Sequence, residues 1–292
     1  MSATVGFVGL GLMGQGFTRR LAEKAYRVVG FDTDANKTSA AADWGVTPVN
    51  SAAEVAEAAD IILVSVINTA AVEDVALGPR GLAGVSKAAD KIMVDHSTTE
   101  LEATKRIAAA LAQRGMMFVD APVSGGPGAA KAGTLAIMAG GSDAAIARIA
   151  PLMRDLGSFT HMGPVGTGQA TKLVNQTIVL TNYCVLAEAL RLAQSYGVDA
   201  AKIPQALKSG FAGSNMLGPL FPQMLAEDFA PRGFARQVLK DLEMLQAAAA
   251  ARHLAMPMAS QALTLYRLLV ASGKSELDAT SVVTLYPAGD AV

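Results

Sequence analysis

Cysteine is almost absent. Cys184 stands alone in 292 residues, which excludes an internal disulfide and any cysteine-based zinc site. Its surroundings read as helix, where a lone thiol behaves as a small buried apolar group, and a reducing cytoplasm is the simplest address. Histidine is scarce too. None of His96, His161 and His253 has a supporting motif around it, although His96 ends an expected strand; no metal site is predicted. Charge of one sign is missing: 24 basic residues face 25 acidic ones. No basic surface for nucleic acid and no Lys/Arg cluster for an anionic membrane is therefore expected. The apolar runs are broken by Gly, Asp or Pro, short of the roughly 18–20 residues that a membrane span needs. Residues 1–14 begin apolar but carry no basic leader and no small-residue cleavage site, which favours a strand over a signal peptide.

What is present is apolar residues, 51% against 17% charged, enough to bury a substantial core. Through residue 162, short β-rich runs alternate with helix-like stretches. The strand candidates are 4–9, 27–32, 61–67, 91–96, 117–123 and 134–140, with capping-box spacing at Ser51–Glu54 and Ser97–Glu100. Continuous apolar strands alternating with helices predict a parallel sheet covered on both faces. Past residue 165 the strand signal vanishes. One long helix over about 166–196 is expected, then shorter helices punctuated by Pro204, Pro219, Pro222, Pro231 and Pro257. The fold class is α/β: an N-terminal doubly wound Rossmann-type domain (1–164), then the long interdomain helix and an all-α C-terminal domain (165–292).

The first strand runs into "GLGLMG", where Gly9, Gly11 and Gly14 have G-x-G-x-x-G spacing. Such glycines allow a tight turn, close backbone approach to a pyrophosphate and close helix packing. The loop residues Gly9, Leu10, Gly11, Leu12, Met13 and Gly14 are thus candidates for a dinucleotide, with the next helix aiming its N–H groups at the phosphates. Asp32 ends the following strand. Its carboxylate suits both ribose hydroxyls and repels a 2′-phosphate, and Thr33 offers that phosphate no welcome; NAD is expected over NADP.

A second glycine-rich stretch, "DAPVSGGPGAAKAGTL", offers Ser124, Gly125 and Gly126. Their N–H groups and hydroxyl suit a carboxylate, though an ordinary turn reads equally from the residues. In "GPVGTGQATKLVNQ", Lys172 and Asn175 fall on one helix face. Oxidising an alcohol requires a hydride acceptor and a base for the hydroxyl proton. Lysine can be that base if desolvation and a nearby cationic ring bring its pKa toward neutrality. On chemistry alone, a solvated surface lysine remains as good a reading.

With "GFVGLGLMG", "DAPVSGG" followed by "GTL", "GTGQATKLVNQ" and "KDLEM" in this order, the chain resembles the β-hydroxyacid dehydrogenase family over nearly its whole length. That family includes 3-hydroxyisobutyrate dehydrogenase, tartronate semialdehyde reductase and L-threonate dehydrogenase. The resemblance implies that Lys172 is the catalytic acid/base and Asn175 a substrate-positioning amide, with Ser124, Gly125 and Gly126 on the substrate carboxylate. It also implies a main-chain cofactor contact at Ser65–Val66, Thr98 near the nicotinamide, and Lys240 reaching the cofactor. From the residues themselves, Thr98 also fits a helix N-cap, and Lys240–Asp241 an ordinary solvated pair. Two departures bear on the nicotinamide pocket. "SVIN" has Ile67 where relatives commonly carry proline, and "HSTTEL" lacks a proline often found after the serine or threonine.

The resemblance further implies that 209–219, "SGFAGSNMLGP", closes over the substrate with Ser209, Ser214 and Asn215 as polar groups and Phe211 and Met216 as wall. Lacking a cation apart from the adjacent Lys208, unless Arg232 or Arg236 swings in, this segment predicts a small monocarboxylate hydroxyacid. A homodimer or homotetramer is expected. Imine-reducing relatives typically carry Asp or Tyr at the position of Lys172, which argues against that activity. A catalytically silent dinucleotide-binding protein is the remaining alternative.

Overall fold

The computed structural model describes residues 4–287. The chain divides into two compact units, Met1–Lys172 and Leu173–Val292.

In the first unit, strands and helices alternate: β1 (Thr4–Val8), α1 (Leu12–Glu23), β2 (Arg27–Phe31), α2 (Ala35–Ala41), β3 (Val46–Pro48), α3 (Ala52–Ala58), β4 (Ile61–Val64), α4 (Thr69–Leu77), β5 (Ile92–Asp95), α5 (Leu101–Ala112) and β6 (Met117–Asp120). There follow β7 (Val123–Ser124), α6 (Gly126–Ala132), β8 (Leu135–Gly140), α7 (Asp143–Leu156) and β9 (Gly157–Gly163). The sheet order is β3-β2-β1-β4-β5-β6-β8-β7, with β9 beside β8. Side chains alternate across the sheet with the strand period of two. Val5, Phe7, Leu63, Val94 and Val119 pack with Phe17 and Leu21 of α1 and with α7. Val8, Ile62, Val64, Met93 and Phe118 face α3, α4 and α5 instead. After β3 the chain returns to the other side of β1 to lay down β4, so the strand order reverses at β1/β4. In an open α/β sheet, the crevice at the carboxyl ends of the strands beside this reversal is where ligands bind.

β1 to β6 form the expected parallel sheet of a doubly wound domain, and the departure from it lies at the β7–β8 edge. β8 runs antiparallel to β6 and β7, while β9 is parallel to β8. The expected strand 117–123 breaks after Asp120, because Pro122 has no N–H to give a ladder. β3 and β9 went unread: one has three residues, and the other is a largely exposed edge strand without an apolar face. Ser51 does cap α3, accepting from the Glu54 N–H. Ser97 does not cap α5, and neither does Thr98. That helix starts at Leu101 behind Glu100, and the Ser97 hydroxyl accepts from Val66 N–H instead. The hydroxyl is needed to satisfy backbone leaving β4, which a local cap pattern cannot reveal.

α8 (Thr167–Ser195) spans the end of the first unit and the start of the second. The second unit continues with α9 (Ile203–Leu207), α10 (Leu217–Leu225), α11 (Ala235–Ala250) and α12 (Pro257–Ala271). Its core joins Leu180, Cys184, Leu190, Phe221, Leu242 and Tyr266; Cys184 is a buried helix residue as read. Pro204 and Pro257 lie in the first turns of α9 and α12. Pro219 and Pro222 do not separate helices, however, because both lie within α10. α8 also corrects the reading of apolar runs. Among the described residues it is the one helix long and apolar enough to cross a membrane by length and composition. It also contributes buried side chains to the second unit's core, and a core helix passes the same test of length and composition.

Candidate active site

The glycine loop leaves β1 in a conformation that only glycine adopts easily: Gly9 has φ +96°. A Cβ on Gly9 would lie 2.1 Å from the Ser65 carbonyl oxygen, and one on Gly14 would lie 1.9 Å from the Gly9 carbonyl oxygen. Around Gly11, nothing lies within 4 Å of such an atom. Two glycines therefore close the turn, and the third leaves bare backbone facing open space. No side chain caps α1, so the helix start beside that space is suited to an anion. The Asp32 carboxylate is held at the same end of the sheet, accepting from Leu10 N–H at 2.7 Å and Asp34 N–H at 2.9 Å. Loop and acidic residue fit a dinucleotide's pyrophosphate and ribose.

Ser65 and Val66 leave β4 beside the loop, Ser65 N–H donating to the Val8 carbonyl at 2.9 Å. Thr98 follows β5, between Ser97 and Thr99, whose backbone groups are both engaged by Gln169. The Gln169 amide donates to the Ser97 carbonyl at 2.8 Å and accepts from Thr99 N–H at 3.1 Å.

Lys172 is 8% exposed, and its Nζ donates to the Val123 carbonyl at 2.8 Å. That removes the solvated-surface reading. The Lys172 nitrogen lies against the residue before Ser124, and Gly125 and Gly126 follow with φ +132° and +71°. A Cβ at Gly125 would press on Ala129, whereas at Gly126 it would meet nothing within 4 Å. Ser124–Gly126 is a tight turn, with open space beside Gly126.

In the second unit, the Asn175 amide donates to Gln176 Oε1 at 2.8 Å, and Gln176 donates in turn to Asp241. Asp241 also pairs with Lys240 at 2.9 Å. Lys240–Asp241 is thus no ordinary solvated pair, since Asp241 is tied to α8. The Arg232 and Arg236 side chains are each engaged, with Asp228 at 2.6 Å and Glu276 at 2.7 Å. Phe211 is fully exposed, and Ser214 accepts from Leu217 N–H.

Two family models match the chain. The NAD-binding domain of 6-phosphogluconate dehydrogenase covers residues 4–166, and the NAD-binding domain of NADP-dependent 3-hydroxyisobutyrate dehydrogenase covers 166–286. The chain is 35% identical to 2-hydroxy-3-oxopropionate reductase of Escherichia coli K12, over 96% of this chain and 95% of that protein. It is 34% identical to a probable 3-hydroxyisobutyrate dehydrogenase-like protein 3, mitochondrial, of Arabidopsis thaliana, over 96% and 86% respectively. The crystal structure of 3-hydroxyisobutyrate dehydrogenase from Salmonella typhimurium superposes with TM-score 0.89 at 27% identity, covering 98% of this chain and all of that one.

The chain belongs to the β-hydroxyacid dehydrogenase family. As a β-hydroxyacid dehydrogenase it is an NAD(P)-binding oxidoreductase of CH–OH groups. Sequence reasoning passed over three of its engaged polar residues, Asp120, Gln169 and Gln176, and weighed a fourth, Asp241, only as half of a solvated pair. Asp120 and Gln169 lie inside the quoted motifs "DAPVSGG" and "GTGQATKLVNQ"; Gln176 and Asp241 lie inside "GTGQATKLVNQ" and "KDLEM". Motif membership was the available signal, but their partners are 46 to 72 residues away.

In this dehydrogenase His96 is a packed core residue. Its ring stacks on Phe17 at 4.8 Å, and Nδ1 lies 2.7 Å from the Ala121 carbonyl, which places the proton on Nδ1. Burial pushes the imidazole from 6.5 down to about 4. The unfolded chain therefore binds the proton first, and His96 withdraws stability as pH falls from about 6.5 to about 4. Asp120, raised by burial from 3.8 to about 6, acts with the opposite sign over most of that range. Comparison with a variant isolates the histidine. His96→Asn, which keeps a short polar side chain that cannot titrate, is expected to flatten the acid limb of urea-unfolding stability relative to wild type. An identical pH slope would show that His96 is not held neutral.

Proposed function

We propose that this chain is an NAD-dependent dehydrogenase interconverting a small 3-hydroxy carboxylic acid and its aldehyde or keto form, with Lys172 as general acid/base. The observation that carries this reading is the buried Lys172 Nζ at the Val123 carbonyl, one residue before Ser124. A lysine loses water contact at real cost, and a proton-transfer role in a dry site is the return. In oxidation, the neutral Lys172 amine takes the substrate hydroxyl proton as the hydride leaves carbon. In reduction, the ammonium returns that proton to the developing alkoxide. The dinucleotide, when bound, accepts or supplies the hydride. Ser124, Gly125 and Gly126 hold the substrate carboxylate through hydroxyl and N–H groups, and Asn175, one turn further along α8, orients the substrate oxygen. Ser65, Val66, Thr98 and Lys240 serve the cofactor, together with the loop 9–14. The cofactor-binding domain is 1–164, and 165–292 is the substrate and oligomerisation domain.

NAD is favoured by Asp32, because a 2′-phosphate beside a fixed carboxylate meets repulsion. The description of the second matching family as NADP-dependent points the other way. Asp32→Ala is expected to weaken NAD binding and to shift the NAD/NADP preference by about tenfold or more, some 1.4 kcal/mol. An unchanged preference would place selectivity elsewhere. The Escherichia coli relative's name supports a second substrate reading, a 2-hydroxy-3-oxopropionate reductase, and an L-threonate-type dehydrogenase is the third. Oxidation assays with 3-hydroxyisobutyrate, glycerate, threonate and serine separate these readings. We further propose a cytoplasmic homodimer or homotetramer. The exposed apolar side chains Val174, Ile178, Val185 and Leu192 along α8, with Tyr196 just after its end, support association.

A further inference from the structure

The seating of α8 is made by side chains that the proposed chemistry does not use. Asp95 and Asp120 are register partners at the ends of β5 and β6, and both are fully buried. Asp120 accepts from Gly166 N–H and Gln169 N–H, each at 2.8 Å, and so caps the first turn of α8 from outside the helix. Those N–H groups lack partners within the helix, and a carboxylate there also meets the favourable end of the helix dipole. Asp95 accepts from Ser97 N–H at 2.9 Å and from the Thr99 hydroxyl at 2.6 Å, fixing the segment on either side of Thr98.

Gln169 joins the two. One planar amide donates to the Ser97 carbonyl and accepts from Thr99 N–H, gripping both peptide groups that flank Thr98. Its backbone N–H belongs to the turn that Asp120 caps, and Lys172 lies three residues further along the same helix. The approach is close: a Cβ on Gly168 would lie 2.4 Å from the Asp120 carbonyl oxygen and 2.6 Å from that of Met138. The helix start therefore rests directly on the strand ends.

We propose that Gln169 is a positioning residue that sets the distance between Lys172 and the 97–99 segment, with Asp120 and Asp95 as the two fixed anchors. This rests on the reading of Lys172 as acid/base and of Thr98 as the nicotinamide-side residue. The physical reason is registration. Hydride and proton leave adjacent atoms of one substrate, so the groups receiving them must keep a fixed separation, and an ångström of drift costs up to about a hundredfold in rate. The Val123 contact holds the Lys172 nitrogen against β7 but does not tie its helix to the 97–99 segment; the Gln169 amide does.

The test uses the full-length protein, NAD and the fastest-oxidised acid among 3-hydroxyisobutyrate, glycerate, threonate and serine. Gln169→Met keeps the volume but loses both amide contacts. It is expected to lower kcat about 30-fold, with KM for the acid and NADH affinity by fluorescence titration each within about threefold of wild type. The deuterium isotope effect on kcat should rise as hydride transfer becomes limiting. A residue that merely supports folding would lower the melting temperature and leave kcat per folded molecule and its isotope effect unchanged. That outcome overturns the proposal. Should Gln169→Met prove insoluble, Gln169→Asn, whose amide falls one methylene short of Ser97 and Thr99, is judged by the same readings. Lys172→Met runs alongside. If it keeps turnover, the lysine reading fails and the clamp with it. If it is inactive while a Gln169 variant retains full kcat, the clamp alone is overturned.

Discussion

Lys172→Met is expected to lower kcat by at least about a hundredfold, the scale of losing a general acid/base, while NADH affinity stays within about threefold of wild type. Methionine matches the buried lysine stem in length and apolar character, so packing in the first unit is largely preserved. The Val123 carbonyl loses its ammonium donor, at a cost of about 1–3 kcal/mol for a buried acceptor left unpaired. That cost falls on stability, which urea unfolding reads separately from turnover. Steady-state rates measured on protein shown to be folded isolate the chemical contribution. Near-wild-type kcat would remove Lys172 from proton transfer and leave its burial a purely structural matter.

The second large effect concerns the glycine loop. Gly14→Ala places a methyl 1.9 Å from the Gly9 carbonyl oxygen and 3.2 Å from the Phe7 ring. The first contact is backbone, which cannot rotate aside, so α1 must lift from the turn. Dinucleotide affinity is expected to fall about a hundredfold or more, with about 1–3 kcal/mol of stability lost to overpacking. Gly11→Ala is the discriminating control. Nothing lies within 4 Å of its added methyl, so stability should hold. The same methyl occupies the space assigned to the pyrophosphate, and affinity should still fall. Wild-type affinity in Gly11→Ala would mean that phosphate does not approach there.

The nucleotide loop was legible in the sequence because its determinants are local: three glycines, one strand and one helix start within eleven residues of Thr4. α8 was legible for a similar reason, an unbroken helical run ending before Gly197. Harder features depended on distant partners. Ser97 has the spacing of a helix cap, yet its hydroxyl serves Val66, 31 residues away. Lys172 could be read from its own segment as surface or site with equal force, since its hydrogen-bond partner, Val123, lies 49 residues earlier. The Asp120–Gln169–Thr99 connection belongs to the same class, because only the folded sheet brings those strand ends under α8. β3 and β9 were missed because a three-residue strand and a largely exposed edge strand carry neither a continuous apolar run nor an apolar alternation.

The central claim is that this family member oxidises a small hydroxyacid with NAD. The most direct measurement incubates the purified protein with NAD or NADP and each of 3-hydroxyisobutyrate, glycerate, threonate and serine, following the absorbance of the reduced nicotinamide. Turnover of at least one acid, faster with NAD than with NADP and abolished in Lys172→Met, is the expected result. Silence toward every acid with both coenzymes, in protein that binds NADH normally, would contradict the claim and favour a catalytically silent dinucleotide-binding role.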